Sequence, residues 1–133
     1  MKTTNSSNPA RILVVEDHKF FRDGLVRWIN EVPGLRCCGE ADCGDEARRL
    51  ALQLKPDLVT LDLELKDGDG LTLMKQLLRE APGLRLLVIY EGEEDIYAER
   101  VLRAGGRSYV MKSAAPSVLE EAVRSVLAGG VFV

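Results

Sequence analysis

Six residues whose types could do chemistry stand at equivalent places in this chain, each just past a short apolar run. "RILVV" (11–15) ends at Glu16 and Asp17, "DLVTL" (57–61) at Asp62, "LRLLVI" (84–89) at Tyr90 and Glu91, and "RSYVM" (107–111) at Lys112. A single acid in such a place can simply cap a helix or face water. Acids and a lysine at several run ends make coincidence the poorer account. Two carboxylates about 4 Å apart repel by roughly 4 kcal/mol at an effective dielectric near 20. Gathering Glu16, Asp17 and Asp62 therefore calls for a cation or for raised carboxyl pKa values. A hard divalent ion with oxygen ligands, such as Mg2+ with several waters, suits that set. Asp62 opens into the loop "ELKDGDG", where a carboxylate can act as a nucleophile toward phosphorus. Mg2+ and Lys112 would offset charge on a transferred phosphoryl group.

The elements that must position these residues alternate along the chain. Phe21, Leu25, Trp28, Ile29 and Val32 recur at helical spacing until "PG" at 33–34, and "LRCCGE" (35–40) then reads as a second strand. Ala47, Leu50, Ala51 and Leu54 mark a helix that must end before Pro56. Leu71, Met74, Leu77 and Leu78 stripe a third helix closed by "APG" at 81–83, and Ile96, Val101 and Leu102 a fourth that runs into Gly105 and Gly106. Val118, Leu119, Ala122, Val123, Val126 and Leu127 stripe a fifth, ended by "GG" at 129–130. Five strand–helix units with mostly apolar strands imply an α/β fold, a parallel sheet covered on both faces and doubly wound by right-handed crossovers. Function in such sheets gathers at the carboxyl ends of the strands.

Composition excludes several classes. A net charge of −3 with a pI near 5.3 gives no sign of nucleic-acid binding by bulk charge. An apolar content of 46% with 29% charged residues is that of a globular chain, and no apolar run reaches bilayer length, so no membrane partner is expected. The opening "MKTTNSSNPA" lacks a signal-peptide core, so residues 1–10 are expected to be a disordered tail. Cys37 and Cys38, adjacent on a strand, would point to opposite faces and could not share one zinc ion; with Cys43 they read as reduced thiols of a cytoplasmic protein. No "GxxxxGK" loop is present, and "GDG" at 68–70 reads as turn chemistry ahead of a helix. His18, the single histidine, belongs to the start of the first helix.

"ILVVEDHKFFRDGL", "PDLVTLDLELKDGDGL" and "AGGRSYVMKSA" together resemble the receiver domain of two-component response regulators, over roughly residues 10 to 130. "EDH" followed by "RDGL", and the closing "AGGVFV", look most like the NarL/FixJ (LuxR-type) transcriptional regulators. The resemblance implies a flavodoxin-like (βα)5 domain over 11–130, with 131–133 starting a linker. It implies that Asp62 accepts a phosphoryl group from a sensor histidine kinase. Glu16, Asp17, Asp62 and the main-chain carbonyl of Glu64 would hold Mg2+, and Lys112 would bind the phosphoryl group. Tyr109 matches an aromatic that changes rotamer on switching, although an ordinary half-buried strand aromatic would look the same in sequence. DNA would be bound only through a C-terminal helix-turn-helix domain outside these residues, and a homodimer would use an outer helical face.

The departures fall at one edge. The family usually keeps Ser or Thr, then a small residue, where this chain has Tyr90 and Glu91, and many relatives have proline where Lys66 stands. A short hydroxyl bonds the phosphoryl oxygen, whereas a phenol carries its oxygen roughly 6 Å beyond Cα and cannot copy that contact without moving its loop. Glu91 adds charge that opposes an arriving phosphate. Alternatively, both side chains point to solvent and the acceptor works as usual. Three functions follow: a phospho-accepting receiver with transcriptional output, an atypical receiver acting as a phosphorylation-independent protein- or ligand-interaction module, and a Mg2+-dependent phosphotransfer enzyme. The last is weakest, because no further acid or base is evident; the chain is read as no enzyme beyond self-phosphorylation and dephosphorylation at Asp62.

Overall fold

Period-two burial decides the architecture. Ile12, Val14, Leu58, Leu87 and Ile89 belong to one apolar cluster, and their neighbours Leu13, Val15, Val59, Leu61 and Val88 to another. All of these residues are essentially without solvent contact. Successive side chains of a strand point to opposite faces, so each strand feeds both layers, and each aliphatic side chain removed from water contributes about 1.5–3 kcal/mol.

The computed structural model describes residues 8–91 and 94–133, the side chains of residues 94–97 excepted. In chain order the elements are β1 (Ala10–Val15), α1 (Lys19–Glu31), β2 (Leu35–Ala41), α2 (Gly44–Leu54), β3 (Leu58–Asp62), α3 (Gly70–Glu80), β4 (Leu86–Tyr90), α4 (Glu94–Arg103), β5 (Tyr109–Met111) and α5 (Pro116–Leu127). The five strands form one sheet of order β2-β1-β3-β4-β5, and every neighbouring pair is parallel. Helices α1 and α5 contribute Leu25, Ile29, Ala122, Val123 and Val126 to one face; α2, α3 and α4 contribute Ala47, Ala51, Leu73, Met74, Leu77 and Val101 to the other. This is the expected doubly wound (βα)5 fold. The chain winds outward in both directions from between β1 and β3, which opens a crevice at their carboxyl ends.

Local chemistry sets the boundaries. Helix α5 starts on Pro116, where a missing N–H costs nothing, and just past its end Gly129, at φ 89°, closes its N–H on the Val126 carbonyl at 2.9 Å. The apolar run predicts a first strand from Arg11, but Ala10 already pairs with Leu35, so the last residue of the expected tail belongs to the sheet. Residues 1–7 of that tail and the Ile96 side chain lie outside the described residues. At the other end Tyr109 N–H donates to the Phe132 carbonyl at 2.9 Å, and Phe132 N–H to Ser108 Oγ at 2.9 Å. The segment read as the start of a linker thus lies against the edge strand β5. Cys37 packs with the α1/α5 cluster and Cys38 with the opposite one, so the two thiols do face apart. No helix of the described residues is long and apolar enough to cross a membrane.

Candidate functional site

The carboxyl end of β1 places Glu16 by continuing the ladder: its N–H donates to the Ala41 carbonyl at 2.9 Å. The residue is 2% exposed, and its Oε2 accepts from the His18 N–H at 3.0 Å and from Lys112 Nζ at 3.1 Å. His18 also caps α1, its Nδ1 accepting from the Phe21 N–H at 3.4 Å, as the sequence position suggested. Arg22, one turn into α1, donates to the Glu16 carbonyl at 2.8 Å and so locks the strand-to-helix turn.

Asp62 closes β3, opposite Ile89 of β4, and is 5% exposed. Its Oδ1 accepts from the Glu64 N–H at 3.2 Å, and its Oδ2 lies 3.6 Å from Lys112 Nζ. Lys112 follows β5 and donates its own N–H to the Tyr90 carbonyl at 2.8 Å, which fixes its Cα at the mouth of the crevice. Its ammonium sits 4.8 Å from the centre of the Phe21 ring, within cation–π range.

Carboxylate oxygens of Glu16, Asp17 and Asp62 all lie within 4.8 Å of one another. Lys112 supplies one positive charge to these three acids. Burial, and then the adjoining Glu16 carboxylate, push the Asp62 carboxyl up to about 7, although the Glu64 amide and Lys112 pull the other way. Burial lowers the Lys112 pKa, but Glu16, Asp62 and Glu91 outweigh it and hold the ammonium above its usual range. An oxygen-only donor set with uncompensated negative charge fits a hard divalent cation. Glu64 fits as a further contributor. The Gly70 N–H donates to the Leu63 carbonyl at 2.8 Å, and Glu64 stands opposite Asp69 in a small antiparallel ladder. Bonded and non-bonded rungs alternate in such a ladder, so the Glu64 rung turns its amide groups away from the partner strand.

The crevice therefore gathers Glu16, Asp17, Asp62 and Lys112, with Glu64 at its rim. Tyr90 is not part of that polar cluster. It is 1% exposed and packs into the α2/α3/α4 cluster, its ring 5.7 Å from the half-buried Tyr109 ring at a 56° tilt. Tyr90 and Glu91 do not both face solvent, as one reading of the sequence expects: Glu91 is exposed and Tyr90 is buried. The physical reason is parity: Tyr90 shares the inward direction of Leu86 and Val88 on β4.

Residues 12–124 match the family model described as the response regulator receiver domain. The chain is a response regulator receiver domain. Over 119 residues the receiver is 37% identical to response regulator GacA of Pseudomonas aeruginosa and 32% identical to transcriptional regulatory protein LiaR of Bacillus subtilis. Each match covers 90% of this chain but 56% of the relative, so the receiver spans about half the length of these proteins. Among solved structures it resembles a LuxR-family two-component response regulator from Aurantimonas, with a TM-score of 0.89 and 32% identity over 94% of this chain and 89% of that one. The receiver domain of NarL from Mycobacterium tuberculosis matches with a TM-score of 0.85 and 26% identity, over 92% and 98% of the two chains. The domain is thus a receiver of the LuxR/NarL type.

The hold on the loop after Asp62 leaves no pattern in the sequence. Residues 64–69 form a two-residue ladder, Glu64–Leu65 against Gly68–Asp69, whose tip reaches the turn between β2 and α2.

Proposed function

We propose that this receiver accepts a phosphoryl group from a sensor histidine kinase on Asp62 and so switches a transcriptional output. The observation that carries the reading is the placement of Asp62. It ends its strand between two acids and an ammonium, with one carboxylate oxygen held by a backbone N–H and the other turned to Lys112. Glu16, Asp17, Asp62 and the Glu64 carbonyl would hold Mg2+, which when bound offsets charge on the phosphoryl oxygens.

In the transfer, an Asp62 oxygen bonds to phosphorus as the phosphorus–nitrogen bond to the kinase histidine breaks, and the bonding pair leaves with that nitrogen. Lys112 offers its ammonium to the incoming phosphoryl oxygens, exchanging part of its contact with Glu16. Tyr109 would report the change, with Tyr90 and Glu91 setting how strongly it does. Output would pass to a helix-turn-helix DNA-binding domain outside these residues, in the cytoplasm, and a homodimer would form through an outer helical face.

Mass spectrometry tests the reading. Incubation with Mg2+ and a small phosphodonor should add one phosphate, which tandem fragmentation places on Asp62, and Asp62→Asn should take up none. If no adduct forms and a beryllium fluoride mimic fails to bind, the chain is instead an interaction module on the receiver fold.

A further inference from the structure

The hairpin that follows Asp62 is fastened at both ends, and its distal fastening has no part in the reading above. At its base, the Gly70 N–H donates to the Leu63 carbonyl at 2.8 Å, and Asp69 caps α3 by accepting from the Leu71 N–H at 3.0 Å. A Cβ on Gly70 would stand 2.5 Å from the Asp62 carbonyl, so only glycine lets the hairpin close this tightly on the acceptor strand. At its tip, Lys66 Nζ lies 2.8 Å from Asp42 Oδ2. Next to it, Asp67 accepts from the Gly44 N–H at 2.7 Å and the Asp45 N–H at 3.2 Å.

These last bonds answer a local deficit. The residue at the N-cap position of α2 is Cys43, which makes no side-chain capping bond. Asp67, more than twenty positions later in the chain, supplies the missing carboxylate to the first amides of that helix. The tip is thereby tied to an element outside the crevice, and Glu64, whose N–H holds Asp62 Oδ1, sits between the two fastenings.

We infer that Asp67, assisted by Lys66, is a positioning residue: by clamping the hairpin tip to the start of α2 it holds Glu64 in register with Asp62 and so sets the receiver's affinity for its divalent cation. The inference rests on the proposed function for the identity of the cation, but the clamp acts on Glu64 whether or not a metal is bound. With the clamp gone, the hairpin pivots on its base and the Glu64 amide and carbonyl drift from the carboxylates. The effect should therefore fall on cation affinity rather than on transfer once the cation is saturating.

Three readouts on the whole chain test this. In calorimetric titration with Mg2+, Asp67→Ala should bind about tenfold more weakly than the parent, the low end of what removing an outer partner of a metal site costs. Asp67→Asn keeps an acceptor oxygen for Gly44 and should recover most of that loss. Phosphorylation of Asp67→Ala should be slow at limiting Mg2+ and approach the parent rate at saturation. In metal-free protein, Asp67→Ala should also lose hydrogen-exchange protection at the Glu64 amide.

A second substitution separates positioning from helix stability. Cys43→Ser gives α2 a cap of its own, so in the Asp67→Ala background it should restore the melting temperature without restoring Mg2+ affinity or Glu64 protection. Unchanged Glu64 protection in Asp67→Ala would overturn the clamp, as would recovery of every property with Cys43→Ser. If Glu64 loses protection while no variant, parent included, binds Mg2+, the clamp stands and the cation reading falls.

Discussion

At the scale of the residue, Asp62 is a carboxylate held at a cost. Its pKa of about 7 in the fold, against an ordinary value of 3.8, means that the folded protein resists ionising it. A group raised in this way lets the protein keep full stability below about pH 4, lose it as pH rises, and carry the whole penalty above about pH 7. At about 1.36 kcal/mol per pKa unit the penalty reaches at most roughly 4 kcal/mol. Urea melts of the metal-free receiver should therefore show stability falling between pH 4 and 7. Asp62→Asn should flatten that slope and be the more stable protein at pH 8, and Mg2+ should narrow the gap by binding only the parent site tightly. A variant less stable than the parent at pH 8 would show that Asp62 is not strained.

At the scale of the element, β4 shows what periodicity can and cannot reveal. The five strands and five helical stripes were legible because period two and period 3.6 leave distinct apolar patterns, and those patterns placed Glu16, Asp17, Asp62 and Lys112 at one end of one sheet. The direction of Tyr90 was also legible in principle, since Leu86, Val88 and Tyr90 alternate on one face. The hairpin was not, because a two-residue ladder has no period, and nothing along the chain pairs Gly44 with Asp67. Buried as it is, Tyr90 fills space beneath Tyr109 that a short side chain would leave open. Tyr90→Thr combined with Glu91→Ala should therefore cost stability, about 3 kcal/mol by analogy with other large-to-small core changes. It should also enlarge the change in hydrogen exchange across α4 and β5 on phosphorylation. Equal responses in parent and double variant would show that the tyrosine does not damp the switch.

At the scale of the whole molecule, the proposed phosphoryl acceptor and the segment that follows α5 lie on different strands of one sheet. Asp62 ends the central strand β3, whereas the chain leaving α5 folds back along the edge strand β5, where the Phe132 carbonyl takes the Tyr109 N–H and Phe132 itself packs against the α1/α5 cluster. This return covers backbone groups that an edge strand would otherwise present to another chain. It also ties the segment nearest any following domain to the backbone of the aromatic that would report phosphorylation. Phe132→Ala removes the packing that holds the strap down. It should lower stability by about 1–2 kcal/mol, less than a fully buried aromatic would, because Phe132 keeps part of its surface in water. Hydrogen exchange should then quicken at the Tyr109 amide while the Val88 amide, bonded to the Ser108 carbonyl inside the sheet at 3.1 Å, stays protected. Equal exchange at Tyr109 in parent and variant would mean that β5 keeps its edge closed without the strap, and that output must leave the receiver by another face.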